Sequence, residues 1–270
     1  MTGIASRSSS SCSFAPFAAR VRHIGSRLAG KGWVEEVATR SAQSFPSTAS
    51  VVALPDITLR VRSRPGYETL KRTIDTLGAL VLLIALLPAF LCIAVGVVVD
   101  SGWPIFYRGE RIGRGARTFT VLKFRSMRAD SDSSAHREYL SQLLAGEAGA
   151  SNGLFKVPND PRITRVGRFL RRSSLDELPQ LVNIVRGEMS LVGPRPEVPY
   201  ALADYESSMY RRFEVTPGIT GLWQVSGRGR LSVRDMLRLD VEYADRSSLG
   251  LDLGILARTI PAVLRGTGAG

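Results

Sequence analysis

Histidine and cysteine are nearly missing from this chain of 270 residues, at two of each. His23 and His136 lie in separate polar segments, so a histidine-based triad or metal centre is not expected. Cys12 falls in a serine-rich stretch and Cys92 in an apolar run, which leaves neither a disulfide framework nor a zinc site. There is no Gly-Lys-Ser/Thr phosphate loop, and no Gly-x-Gly-x-x-Gly follows a strand, so kinase-like and dinucleotide-binding readings lack their phosphate cradles. No apolar core follows the first arginines, and no secretory signal is visible. Aromatic residues are scarce, at 7%, and are not interleaved with the basic positions. That argues against a nucleic-acid partner.

Acid is in short supply too. Lys and Arg number 36 against 24 Asp and Glu, a net charge of +12 that points to anionic partners such as phosphates or acidic lipid. The length suits one catalytic domain with room for an appendage. Residues 1–66 hold nine basic and three acidic residues, are rich in Ser and Ala, and show little periodicity. They read as a disordered basic tail near an anionic membrane. No acid precedes Glu35, a composition shared with organellar transit peptides.

What is present in quantity is apolar sequence. Leu77 to Val99 carries no charge, and Asp75 and Asp100 flank it. A straight helix of this length would reach about 35 Å, enough for a bilayer core of ~30 Å. Pro88 divides the run and kinks any helix through it. Both flanks are basic, with Arg60, Arg62, Arg64, Lys71 and Arg72 before it and seven cations between Arg108 and Arg128 after it. Basic flanks favour the cytoplasmic side, so one crossing would misplace a cluster. A helix that enters, bends at Pro88 and returns satisfies both, against the alternatives of a tilted spanning helix or a buried core helix. The expected fold is therefore α+β and mostly helical: a re-entrant membrane helix-hairpin over residues 71–100, and a small catalytic part over residues 101–270.

In that part, Pro104–Tyr107 and Phe119–Phe124 read as two short strands of a hairpin. Residues 130–153 read as a surface loop with one short helix near 135–144. Between Arg162 and Arg172, Ile163, Val166, Phe169 and Leu170 recur at helical spacing among arginines. The pattern fits a basic amphipathic helix in the membrane interface, and equally a helix packed on a core with a solvated face. Asp176 and Glu177 follow, after a stretch from Pro161 to Leu175 with five arginines and no acid. Such a pair stays ionised and faces an anionic substrate or a metal. It also fits a capping box, Ser174-x-x-Glu177, before a helix over Leu178–Arg186 that ends at Gly187. Pro194 and Pro196 hold Arg195 between them, and its fork suits a diphosphate. Lys123, Arg125 and Arg128 can line a phosphate site. Pro217–Arg230 is a Gly-rich basic loop with a strand-like stretch at its centre.

These residues together resemble the bacterial sugar transferases, monotopic polyprenyl-phosphate phosphoglycosyl transferases. The resemblance is carried by Lys71-Arg-x-x-Asp75, Lys123-Phe-Arg-Ser-Met127, Asp160-Pro-Arg-Ile-Thr164, Ser174-Leu-Asp-Glu-Leu-Pro-Gln180, Gly193-Pro-Arg-Pro196, Pro217-Gly-Ile-Thr-Gly221 and Ser226-Gly-Arg228, in the family's order. It implies transfer of a sugar 1-phosphate from a UDP-sugar to membrane polyprenyl (undecaprenyl) phosphate with release of UMP, at the cytoplasmic face of a bacterial inner membrane. By the resemblance, Asp176 is the nucleophile and forms a covalent phosphosugar intermediate. Glu177 assists at a diphosphate-bound Mg²⁺ held by Asp176 and Glu177. Arg195, in its proline frame, holds nucleotide or diphosphate, with Arg171 and Arg228 as further phosphate contacts. The segment Tyr243–Gly250 lacks the tryptophans expected around it. The alternative is a membrane-anchored basic binding or scaffold protein, which binds in a salt-sensitive way without turnover.

Overall fold

Two proline-started helices open the fold. The computed structural model of the chain describes Leu59 and residues 64–128, 160–227 and 231–264. The short helix expected near 135–144, Arg228, both histidines, Cys12 and nearly all of the basic tail lie outside the described residues. Helix α1, Pro65–Ala85, has Pro65 in its first turn, where a missing N–H costs no helical bond, and Glu68 accepts from the Arg64 N–H at 3.2 Å. It breaks at Leu86. Helix α2, Leu87–Ser101, resumes with Pro88 in its own first turn, and the two axes meet at 64°. Pro88 offers no N–H to Ile84, so the break sits where the sequence places it. No single described helix is long and apolar enough to cross a membrane, whereas the bent pair qualifies by length and composition.

Strand β1, Phe106–Ile112, pairs antiparallel with β2, Thr118–Phe124, with Phe106 opposite Phe124. The expected hairpin is there, but its first strand runs past Tyr107. Gly109 does not end it, because the Tyr107 ring lies over that glycine, its hydroxyl 2.6 Å from where a Cβ would stand. Helix α3, Arg165–Ser173, starts three residues later than its apolar spacing suggests. The Thr164 hydroxyl caps it through the Gly167 N–H at 2.9 Å, while Arg162 folds back onto Asp160. Helix α4, Gln180–Arg186, ends as expected at Gly187, in the left-handed region at φ 88°.

A second, parallel pair was not foreseen: β3, Ser190–Val192, beside β4, Gly218–Thr220. The centre of the Gly-rich loop, expected as a strand, is helix α5, Leu222–Ser226, and the strand lies just before it. Helices α6, Val233–Arg246, and α7, Leu249–Leu264, complete the described chain.

The main core draws Ala79 from α1, Val121 from β2, Leu181 and Ile184 from α4, Leu191 and Val192 from β3, Tyr243 from α6 and Ile255 from α7. Polar groups lock the same elements. Asp75, buried in α1, accepts from the Leu191 N–H at 3.1 Å, and Arg72 donates to the carbonyls of Ile184 and Val185 at the end of α4. Carbonyls in a helix's last turn lack the full set of intrahelical donors, and here the Arg72 guanidinium supplies them alongside the Gly187 N–H, which reaches Ile184 at 3.0 Å.

Asn183 joins α4 to the free edge of β2. It is fully buried; its Nδ2 donates to the Thr120 carbonyl at 2.7 Å and its Oδ1 accepts from the Leu122 N–H at 3.0 Å. One side chain thus replaces a missing neighbouring strand. Asn183→Leu should lower unfolding free energy by about 2–3 kcal/mol, because two buried backbone groups lose their partners. Urea titration of the detergent-solubilised protein measures it.

Candidate active site

The acid pair sits in a tight reversal between α3 and α4. Ser174 takes the left-handed conformation (φ 57°), and Leu175–Glu177 form a single 3₁₀ turn. The capping box does not form: Ser174 makes no side-chain cap bond, and Glu177 points away from it. Leu175 and Leu178 pack on the cluster of Val97, Phe124 and Leu170, which also takes Phe90 and Ile93 from α2. The leucines therefore face the helix pair while the acids face β2 and the Pro194–Pro196 loop.

Glu177 is where distant segments converge. Its Oε1 accepts from Lys123 Nζ of β2 at 2.8 Å and from Arg195 Nη2 at 2.7 Å, and its Oε2 lies 3.4 Å from Arg195 Nη1. The carboxylate is 13% exposed. Burial alone would raise its pKa, but Arg195 and Lys123 together hold it well below the ordinary carboxylate range. Conversely, Glu177 raises the pKa of Arg195, while burial lowers that of Lys123 against the pull of Glu177 and Asp176. Asp176 is 8% exposed and within the electrostatic reach of Lys123, Arg195 and Arg171. Burial lowers the Arg171 pKa, with Asp176 the main opposing charge.

The arginine loop is held by close backbone approach. A Cβ on Gly193 would stand 2.3 Å from the Thr216 carbonyl, and the Pro194 carbonyl accepts from the Gly218 N–H at 2.8 Å. Only glycine lets β3 leave its neighbour at this angle and carry Pro194, Arg195 and Pro196 toward the acids.

Of the residues singled out from sequence, the fold gathers Lys123, Arg171, Asp176, Glu177 and Arg195 at one place. Arg125 is not among them. Its guanidinium is turned to the carbonyls of Ser101, Gly102 and Trp103 at 2.5–2.8 Å, closing the end of α2. Alternation alone would put Lys123 and Arg125 on one face, but β2 ends at Phe124, whose ring stacks on Phe106 and meets Phe90. Arg125 lies past the strand end, with its N–H on the Ile105 carbonyl at 2.9 Å. The buried cluster of Arg212, Glu197, Tyr205 and Asp240 beneath the arginine loop was not foreseen, because nothing in its spacing marks residues so far apart as neighbours.

No group of three or more His, Cys, Asp or Glu side chains suited to a metal occurs among the described residues. Mg²⁺ needs only one or two carboxylates when substrate oxygens complete its shell. Glu177, expected as a ligand, already has its oxygens engaged by two cations. Asp176 and Glu177 remain the two carboxylates that would hold a substrate-bound Mg²⁺ here, with Glu177 shared with both cations. A cavity of about 910 Å³ lies elsewhere, lined by Arg72, Arg114 and Arg186 among others, and neither acid borders it.

Because the folded pKa of Glu177 is depressed, its ion pairs stabilise the fold fully above about pH 4.5, its unperturbed value. The stability margin of the wild type over Glu177→Gln should be constant at neutral pH and shrink as pH falls below that value toward the depressed one. Urea midpoints across the acid range measure it.

The bacterial sugar transferase family model matches residues 66–266. The chain is 41% identical over 256 residues to a UDP-galactose-lipid carrier transferase of Erwinia amylovora, covering 88% of this chain and 52% of that protein. It is 42% identical over 232 residues to the exopolysaccharide production protein ExoY of Sinorhizobium fredii, covering 86% of this chain and 98% of that one. An undecaprenyl-phosphate galactose phosphotransferase of Salmonella typhimurium is 42% identical over 203 residues, 74% of this chain and 41% of that protein. The chain thus spans about half or less of the longer relatives and nearly all of the ExoY protein. With a family model matched over some 200 residues, and with the acid pair, its lysine and the proline-framed arginine assembled around it, this chain belongs to the bacterial sugar transferases.

Proposed function

We propose that the protein transfers a sugar 1-phosphate from a UDP-sugar to membrane polyprenyl phosphate, as a first membrane step of exopolysaccharide or glycoconjugate synthesis. The observation that carries the reading is the Asp176–Glu177 turn set among Lys123, Arg171 and Arg195. Relatives whose names include a lipid carrier transferase and an undecaprenyl-phosphate phosphotransferase support the substrate class.

In the first step, an Asp176 oxygen attacks the sugar-bearing phosphorus, and the bond from that phosphorus to the bridging oxygen breaks. UMP leaves with the bridging oxygen and the electron pair. In the second, an oxygen of polyprenyl phosphate attacks the same phosphorus, the acyl-phosphate bond breaks, and Asp176 returns as a carboxylate. A carboxylate nearing a phosphoryl group meets like charge, so the cations must offset it. Arg195 offers a planar fork to diphosphate oxygens, Arg171 a second guanidinium, and Lys123 a point charge. When bound, Mg²⁺ would supply Lewis-acid neutralisation of the diphosphate, held on the protein side by Asp176 and Glu177. Glu177 keeps Lys123 and Arg195 aimed between turnovers.

The lipid acceptor gives the bent helix pair its purpose. Val81, Ile84, Leu91, Val95 and Val99 are each more than 60% exposed, a waste of apolar surface in water and an ordinary one in lipid. We read the pair as a monotopic anchor in the inner membrane with the catalytic part on the cytoplasmic side. Phe169 on α3 and Trp103, both 62% exposed, add interfacial contacts beside the α2 end.

Asp176→Asn should abolish UMP release from a UDP-sugar panel, along with any covalent adduct trapped from labelled donor; an active variant would remove Asp176 from its role. Topology has its own test. With Cys12 and Cys92 changed to serine, cysteines placed at Gly66 and Glu110 should react with an impermeant reagent from the same face of membrane vesicles. Reaction from opposite faces would refute the hairpin.

A further inference from the structure

Under the arginine loop lies a charged cluster that does not include the acid pair. Arg212, 3% exposed, comes from the 3₁₀ segment Ser207–Glu214. Its Nη2 donates to the Arg195 carbonyl and to Asp240 Oδ2, each at 2.6 Å. Its Nη1 donates to the Tyr205 hydroxyl at 2.6 Å and to Glu197 Oε2 at 3.1 Å. Tyr205 in turn donates to Glu197 Oε2 at 2.9 Å. Glu197 is tied on both sides: its Oε1 accepts from the Val198 N–H at 3.0 Å, and its carbonyl accepts from Ile112 of β1 at 2.8 Å.

We propose that Arg212 is a positioning residue that holds the main chain of Arg195, so that the Arg195 fork meets the donor diphosphate already aimed. The inference rests on the reading of Arg195 as a diphosphate ligand. The geometry has three parts. A guanidinium is planar and its donors diverge at fixed angles, so Arg212 can grip Arg195, Asp240, Glu197 and Tyr205 together where a lysine cannot. The grip is on the Arg195 backbone, leaving its side chain to Glu177 and to substrate. Finally, Asp240 and Glu197 supply the counter-charge that a buried cation requires. Burial pushes the Asp240 carboxyl up to about 7 against the opposing charge of Arg212, so Asp240 is the partner that tolerates neutralisation best. An arginine held at its backbone loses less freedom when it binds, which favours affinity and a reactive geometry.

The test is a double-mutant cycle on the purified full chain, with wild type, Arg195→Ala, Arg212→Lys and the double variant compared. UDP binding is measured by calorimetry, and UMP release from UDP-sugar gives kcat and KM. Arg212→Lys keeps the charge and loses the fork; it should weaken UDP binding and lower kcat/KM by about tenfold. The double variant should be no weaker than Arg195→Ala alone, since the effect runs through Arg195. Additive losses, or wild-type behaviour in Arg212→Lys, would overturn the proposal. If Arg212→Lys does not fold, Arg212→Met with Asp240→Asn removes charge in balance and carries the same expectations. UDP binding needs no turnover, so non-additive binding in a chain that never releases UMP would refute the transferase reading and leave the positioning role standing. A wild type that does not bind UDP would overturn both.

Discussion

One carboxylate, Glu177, sets the arrangement of the candidate site. Lys123 and Arg195 reach it from β2 and from the loop after β3, and neither cation would tolerate its partly buried place without that negative charge. Removing one partner of such a set leaves the rest exposed to the full cost of desolvation. The elements that carry the three residues are accordingly tied together independently. Asn183 fastens α4 to β2, and Gly193 and Gly218 let β3 and β4 close on each other beneath the arginine loop.

The same site is fastened to the bent helix pair. Arg125 closes the last turn of α2 from the strand that bears Lys123, and Asp100, at the end of α2, accepts from the Val166 N–H at the start of α3. The leucines on either side of the acid pair pack into the α2 cluster. The active-site turn and the apolar helices therefore share one small core. Under the proposed function, that shared core would set how far Asp176 stands from the bilayer surface.

Much of this was legible in the residues. The interruption at Pro88, the hairpin, the helix stop at Gly187 and the gathering of basic residues near the acid pair follow from local chemistry: a missing N–H, strand-forming runs between glycines, a left-handed cap, and charge density. The local rules misled where a longer-range partner won. Ser174-x-x-Glu177 has a capping box's spacing, but Arg195 and Lys123 take the glutamate away. Lys123 and Arg125 read alike as basic side chains, yet the strand ends between them, at Phe124, and one reaches the acids while the other turns to the end of α2. The strand-like centre of the Gly-rich loop folds as α5, because the Gly218–Thr220 edge beside β3 is already in use just before it.

The sequence by itself determined the family, the bend in the apolar helix run and the identity of the acid pair, because each is written in residues that lie close together along the chain. Only the tertiary structure decided which cations serve that pair and what holds them. Those answers depend on contacts between positions 18 to 63 residues apart, such as Arg195 on Glu177, Lys123 on Glu177, Asn183 on Thr120 and Arg212 on Asp240. Pairings of that kind come from the packing of whole elements, and the order of the residues does not announce them.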